Sequence, residues 1–248
     1  MSSRWPRILI YHAVCRAPDD PNKIITSPES FEAQMRYLKL RSLRGVSMHE
    51  LRRAVSAGNA KGLVGLTFDD GYENNLRYAL PILERFGFSA TVFVVGGMLG
   101  KEDDWYHRFE PRPRMKLLGV DGVREVSARG MEVGAHSMTH SALSGMEAES
   151  LEEEVSGSRQ VLSEVLGEEV EGFAYPYGAI DGAAVRAVRT AGYGYACSVI
   201  TRVERDGYDL PRQAVLEDSP LKFAAKLKIF PQYVAVKKRL RPRDFAWP

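Results

Sequence analysis

The stretch that most constrains this chain runs from Leu63 through Val64, Gly65, Leu66, Thr67 and Phe68 directly into Asp69-Asp70-Gly71-Tyr72. A largely apolar run of this length, bounded by polar residues, reads as a strand buried on both faces, as in a parallel sheet covered by helices. It ends on two adjacent carboxylates, at the strand terminus where the active sites of such sheets and barrels sit. Neighbouring side chains on a regular strand point to opposite faces. Asp69 and Asp70 can share one pocket only if the chain turns there, and Gly71 supplies the freedom to turn. Two anions crowded together repel unless a cation lies between them.

The complement lies downstream, in Gly130-Met131-Glu132-Val133-Gly134-Ala135-His136-Ser137-Met138-Thr139-His140. This reads as a second short strand delivering two imidazoles at i and i+4. Two histidines and one carboxylate suit a divalent transition metal and leave positions for water and substrate. Ser137 stands where an HExxH site would carry its glutamate base, so a base has to come from elsewhere, and the aspartate pair is the source at hand.

Strand-like and helix-like segments alternate along the chain. Strands are expected at 7–12, 63–68, 89–95, 173–175, 193–198 and 210–212. Helices are expected from Ser27 to Arg41, from Ser47 through Val55, at 73–86 with a kink at Pro81, at 147–166 and at 180–191. Such alternation argues for parallel βα units and an α/β fold, and 248 residues suffice for one such barrel. Residues 96–118 carry no period and are expected to be a long loop.

Three motifs now stand together: Thr67-Phe68-Asp69-Asp70-Gly71-Tyr72, then His136-Ser137-Met138-Thr139-His140, then Phe173-Ala174-Tyr175-Pro176-Tyr177-Gly178. In this order and spacing they resemble the NodB-homology polysaccharide deacetylases, carbohydrate esterase family four, over roughly residues 5–215. The resemblance implies a distorted (β/α) barrel, placed at residues 1–218, with 219–248 as a basic C-terminal helix and tail. It implies a metal held by Asp70, His136 and His140, with Asp69 as the base and the backbone N–H of Tyr177 facing the oxyanion. Zinc is the first expectation for the metal, with cobalt, nickel or manganese as alternatives. The implied reaction removes the acetyl group from an N-acetylated sugar.

The chain departs from the pattern in two places. Ala174 and Tyr175 stand where the family's third motif carries an arginine, and Arg212 could supply that cation through a bidentate bond to Asp69. No histidine follows residue 140, so the late Leu-x-His motif is missing. His12, His49 and His107 remain as imidazole sources for the acid. His12, at the end of the first strand, is the choice; a structural role for it, or proton transfer by Asp69 itself, stands beside that choice. His49 reads as a solvated first-turn residue. Tyr177, Tyr175 and Trp105 are expected at the substrate, with Trp105 or Tyr106 stacking on a sugar ring or, equally, packing inward. Two readings compete: a non-catalytic carbohydrate-binding or scaffold barrel, and a glycoside hydrolase using Asp69 and Asp70. The latter would leave both histidines unexplained and needs carboxylates about 5–9 Å apart across the sugar.

Composition narrows the partners. A net charge of +2, with no basic stretch interleaved with aromatics in the body of the chain, argues against nucleic acid. The apolar run near the N-terminus is too short for a signal core or a membrane span, which sets the expectation of a cytoplasmic protein acting on a small, nucleotide-linked or lipid-linked glycan. Cys15 and Cys197 give no disulfide framework and read as small buried thiols. From Lys222 to Arg243 there are eight Lys/Arg and no acid, threaded with apolar residues. Peripheral contact with the inner face of a membrane is one reading of that segment. Packing on the barrel with the lysines in water is the other.

Overall fold

The structure, a computed structural model, describes residues 6–17, 20–105, 113–199 and 207–228. Tyr106, His107 and the basic stretch beyond residue 228 lie outside the described residues.

Strand β1 (Ile8–Tyr11) pairs in parallel with β5 (Leu63–Phe68), Ile8 opposite Gly65 and Tyr11 opposite Phe68. From β5 the parallel order runs through β6 (Thr91–Val94), β7 (Glu132–Ala135), β8 (Gly172–Ala174) and β9 (Tyr195–Ser198). A short β4 (Arg44–Val46) wedges against the start of β5, and β2 (Ala13–Val14) pairs with β3 (Ile25–Thr26) apart from the main sheet. The two ends of the order, β10 (Leu210–Pro211) and β11 (Gln213–Ala214), are consecutive in the chain: β10 pairs with β9, and β11 pairs with β1. Only Arg212 lies between them. The result is a nearly closed parallel barrel with helices outside, within one domain, which is the distorted (β/α) barrel expected.

The strands alternate as the pleat requires. Ile8, Val46, Phe93, Ala174, Tyr195 and Cys197 fill the barrel interior. Leu9, Leu66, Val92 and Phe173 face outward and pack under the helices with Phe31, Leu83 and Val188. Burying both faces is what makes these strands read as continuous apolar runs. Cys197 is one of the interior residues, whereas Cys15 is only half-buried.

Helix α1 (Pro28–Leu40) starts where Ser27 caps the Ser30 N–H and Pro28 takes the first position, and α2 (Met48–Ser56) starts where Ser47 caps the Glu50 N–H. The expected helix at 73–86 is two: α3 (Asn74–Arg77) and α4 (Ala79–Phe86). The break falls at Tyr78, whose φ of −117° leaves the helical region, and not at Pro81. Pro81 sits in the first turn of α4, where a missing N–H costs nothing because those donors have no intrahelical acceptor. Residues 96–118 also hold more structure than a bare loop: residues 102 and 116, and 72 and 117, form antiparallel bridges, and α5 (Val120–Ala128) follows.

The charged helix over 147–166 is continuous but not uniform. Between α6 (Ala148–Glu152) and α7 (Ser158–Leu166) lies one π-helical turn, Glu153–Gly157. Helix α8 (Gly182–Thr190) is capped by Asp181. The chain then forms a helix over 220–228, whose Phe223 is buried edge-on to Tyr37 and whose Leu227 is also buried. Its Lys222 and Lys226 do not simply face water; they reach back to the buried Asp218 at 2.8 and 2.5 Å. Among the described residues no helix is long and apolar enough to cross a membrane.

Candidate active site

Every residue singled out in the motifs leaves the barrel at the C-terminal end of a strand: His12 after β1, Asp69 and Asp70 after β5, His136 after β7, Tyr175 to Tyr177 after β8, and Arg212 after β10. The Asp-Asp turn begins one residue earlier than the glycine suggested. Asp70 itself has φ 70°, followed by Gly71 at φ 74°, and this pair of left-handed residues brings both carboxylates to one side. Asp70, Ser137, His140 and Tyr177 are four of the six non-glycine residues with positive φ among those described. Each such conformation costs on the order of 1–3 kcal/mol, so the fold concentrates backbone strain where the side chains converge.

Asp69 is clamped. Arg212, 1% exposed, donates from Nη1 to Asp69 Oδ1 at 2.6 Å and from Nη2 to Oδ2 at 2.8 Å. The guanidinium is held in turn by Thr67 Oγ1 at 3.1 Å and the Ser198 carbonyl at 3.3 Å, and it lies over the Phe93 ring. Burial alone would raise the Asp69 pKa; the Arg212 charge and its two hydrogen bonds overcome that and hold it at about 2. Asp69 is therefore ionised throughout the physiological range.

Asp70 is the opposite case. It is fully buried, yet neither carboxylate oxygen accepts a hydrogen bond among the described residues. Its Oδ1 faces His140 Nε2 at 3.1 Å and His136 Nε2 at 3.5 Å. One ligand atom from each of Asp70, His136 and His140 can be chosen so that all three lie within 4.8 Å of one another. His136 Nδ1 is 2.7 Å from the Ala174 carbonyl, which can only accept, so Nδ1 carries the proton and the Nε2 lone pair points into the cluster. Burial lowers both imidazole pKa values, that of His140 to about 3, and keeps both rings in the neutral form that ligates. Burial also raises that of Asp70. A buried carboxylate without a hydrogen bond among the described residues, facing two neutral imidazoles, fits a divalent cation. The donor set of two nitrogens and one oxygen suits zinc and its first-row neighbours alike.

The two histidines converge through a loop, not a helix. His136 is tied by its N–H to the Val94 carbonyl, and Ser137 Oγ accepts the His140 N–H at 3.0 Å. Trp105 stacks on the His140 ring at 4.2 Å between centroids, and Tyr177 meets the same ring edge-on at 4.6 Å. Trp105 is thus packed inward, one face covered by His140. Tyr175 lies deeper than expected. It is 1% exposed, packs against Phe173, and donates its hydroxyl to the Tyr208 carbonyl at 3.0 Å, so it builds the wall behind the site. His12 lies close enough to both aspartates for their charges to raise its pKa, although burial dominates and lowers it. His49 is at the other end of the barrel, beside Glu171.

Sequence reasoning missed Thr67 as a support for Arg212, although it stands inside the first motif. It also missed Asp103, which accepts from the Tyr72 hydroxyl at 2.6 Å and the Met115 N–H at 2.8 Å and so ties the loop bearing Trp105 to the first motif.

A parallel barrel with a clamped aspartate at its C-terminal rim, beside an Asp-His-His cluster that could hold a metal ion, is the architecture expected of the NodB-homology polysaccharide deacetylases. A model of the polysaccharide deacetylase family matches residues 56–196, and the chain belongs to that family. It is 23% identical over 188 residues to the Bacillus subtilis protein YxkH, a match covering 75% of this chain and 61% of that protein. It is 23% identical over 200 residues to the poly-beta-1,6-N-acetyl-D-glucosamine N-deacetylase of Staphylococcus aureus, covering 78% of this chain and 68% of that one. Among solved structures, the Streptococcus pyogenes deacetylase PplD in complex with acetate shares the fold, with a TM-score of 0.74 at 23% identity over 90% of this chain and 97% of that one. IcaB from Ammonifex degensii aligns with a TM-score of 0.72 at 23% identity over 94% and 96% of the two chains.

Proposed function

We propose that the protein is a metal-dependent carbohydrate N-deacetylase that hydrolyses the acetamide of an N-acetylated sugar to acetate and a free amine. The observation that carries this reading is the pairing of two adjacent buried aspartates in opposite states, Asp69 clamped by Arg212 and Asp70 without a hydrogen-bond donor but facing His136 and His140.

Asp70, His136 and His140 would hold the ion. When bound, it supplies Lewis acidity, lowering the pKa of water toward ~7 and polarising the acetamide carbonyl. Asp69 accepts a proton from the attacking water, and Arg212 fixes the direction of the accepting lone pair. A carboxylate held near a pKa of about 2 is ionised at neutral pH and so has a lone pair free to accept that proton. The N–H of Tyr177, on a left-handed residue behind the rigid Pro176, is the donor for the developing oxyanion. His12, at the rim beside both aspartates, takes up the proton that Asp69 removed from the water and hands it to the departing amine. The atoms balance: one water enters, the C–N bond breaks, and acetate and the protonated amine leave.

For the substrate, the name of the Staphylococcus aureus relative puts β-1,6-linked N-acetylglucosamine oligomers first in a test panel. Nucleotide-linked and lipid-linked N-acetylamino sugars follow. A cytoplasmic setting, and peripheral membrane contact through the basic C-terminal segment, belong to the same proposal; the membrane contact is supported by the six Lys/Arg without an acid from Lys228 to Arg243. The test is acetate release across the panel, with metal content measured by plasma mass spectrometry on wild type and on the His136→Ala/His140→Ala double variant. Stoichiometric metal lost in the double variant, with acetate released from at least one substrate, is the expected outcome. A wild type that binds no metal after reconstitution would sink the reading.

A further inference from the structure

The loop that presents the two histidines is only partly held by its own atoms. On one side it rests on the turn after β6: the Gly96 N–H donates to the Ser137 carbonyl and the Gly97 N–H to the Met138 carbonyl, both at 2.9 Å. No larger residue fits there, because a Cβ at Gly97 would stand 2.6 Å from the Met138 carbonyl oxygen. This fixes the loop's carbonyls. The N–H groups of Met138 and Thr139 point the other way, and both meet a single side chain.

That side chain is Glu154. Its Oε2 accepts from the Met138 N–H at 2.9 Å and the Thr139 N–H at 3.0 Å, and its Oε1 accepts from the Thr139 hydroxyl. The carboxylate is buried, and its negative charge acts on His140. Glu154 belongs to the π-helical turn between α6 and α7. A π turn widens the helix by one residue and re-aims the side chains within it, and such turns gather at functional sites. Here it lets Val155 stay in the core while Glu154 faces the loop, and it leaves Gly157 and Ser158 small where the helix approaches Met138 and Gly96.

We infer that Glu154 is a positioning residue for the metal site, its carboxylate holding the Met138-Thr139 peptide so that His136 and His140 face Asp70 at ligand distance. The inference rests on the metal-site reading above. Outer groups that orient metal ligands characteristically contribute 10–100-fold in affinity, and Glu154 does so through backbone N–H groups in place of an imidazole N–H.

The test compares wild type with Glu154→Ala and Glu154→Gln, each stripped of metal and titrated with Co²⁺. The dissociation constant and the visible d–d spectrum are read out, and the thermal midpoint of each apo protein is recorded. Glutamine keeps an oxygen for the two N–H groups and can donate to the Thr139 hydroxyl, so it preserves the fold while removing the charge. Alanine removes the contacts altogether. The expected result is a Kd weakened about 10–100-fold in Glu154→Ala with an altered d–d spectrum, and a smaller loss in Glu154→Gln. Should alanine prevent folding, a weakened Kd in the glutamine variant carries the result. Wild-type affinity and spectrum in the folded variants, whatever their melting points, would reduce Glu154 to a fold-stabilising residue and overturn the inference. A wild type that binds no Co²⁺ would overturn the metal reading itself, and this inference with it.

Discussion

The barrel holds a carboxylate at each end, half-buried at one and buried at the other, and the two are solved differently. At the N-terminal end, Glu132 opens β7 and is fully engaged: it accepts from Thr91 Oγ1 at 2.6 Å, from the Tyr195 hydroxyl at 2.7 Å and from the His49 N–H at 2.7 Å. At the C-terminal end, Asp70 accepts no hydrogen bond among the described residues and faces two imidazole nitrogens. Burial raises both pKa values. What separates the two is therefore not charge but whether neutral donors already occupy the lone pairs. A satisfied carboxylate closes a barrel; an unsatisfied one leaves room for a cation.

The largest test of this contrast is Asp70→Asn. Metal stoichiometry should fall to near zero and turnover to background, while the apo protein gains stability or holds it, because a buried charge without donors has been removed. Retention of stoichiometric metal would end the assignment of Asp70 as ligand. Asp69→Asn should separate the neighbours: metal is kept, and kcat falls by about 10²–10⁴-fold. The variant should also lose about 3–5 kcal/mol in denaturant unfolding, since Arg212 stays buried without its partner. Full activity would show that the base lies elsewhere. His12→Ala should lower kcat by about 10²-fold with little change in metal content, and an unchanged rate would remove His12 as the acid.

At the other end, Glu132→Ala should cost about 3 kcal/mol or more, with three donors stranded, and leave the metal Kd as it was. A weakened metal site would show that the two ends are coupled. The smallest effect is in pH. Glu132 titrates above the ordinary glutamate range when folded, so the folded state holds its proton where the unfolded chain has lost it. Stability from this group is complete below the unfolded pKa and declines as pH rises through the folded one. Glu132→Gln should flatten that decline in melts run across the acidic range; an identical slope would mean that Glu132 carries none of it.

Side chains whose chemistry is specific to a site could be read from the sequence. Asp69, Asp70, His136 and His140 stand together because ordered carboxylates and imidazoles at strand ends have few other uses, and Arg212 was legible as the cation the third motif lacks. Residues whose role depends on backbone register were not legible. Glu154 sits in a helix rich in glutamates, and only the π turn sets it apart. Tyr175 occupies a motif position yet is turned by the pleat into the wall. The break at Tyr78 has no glycine to announce it, whereas Pro81 announced a kink it does not make. Trp105 could be placed near the site by its loop, but its stacking on His140 arises from contacts that no spacing encodes.

The position of Arg212, the one residue between the two strands that shut the barrel, has a consequence for how the protein comes to life. A chain synthesised as far as Ser198 already carries both aspartates and both histidines, but nothing yet orients the first aspartate. The stretch that joins the last strand to the first also delivers the guanidinium, so topological closure and the clamping of Asp69 are one event. A nascent or clipped chain that ends before that stretch leaves Asp69 without its clamp, and the proposed site is complete only when the barrel is.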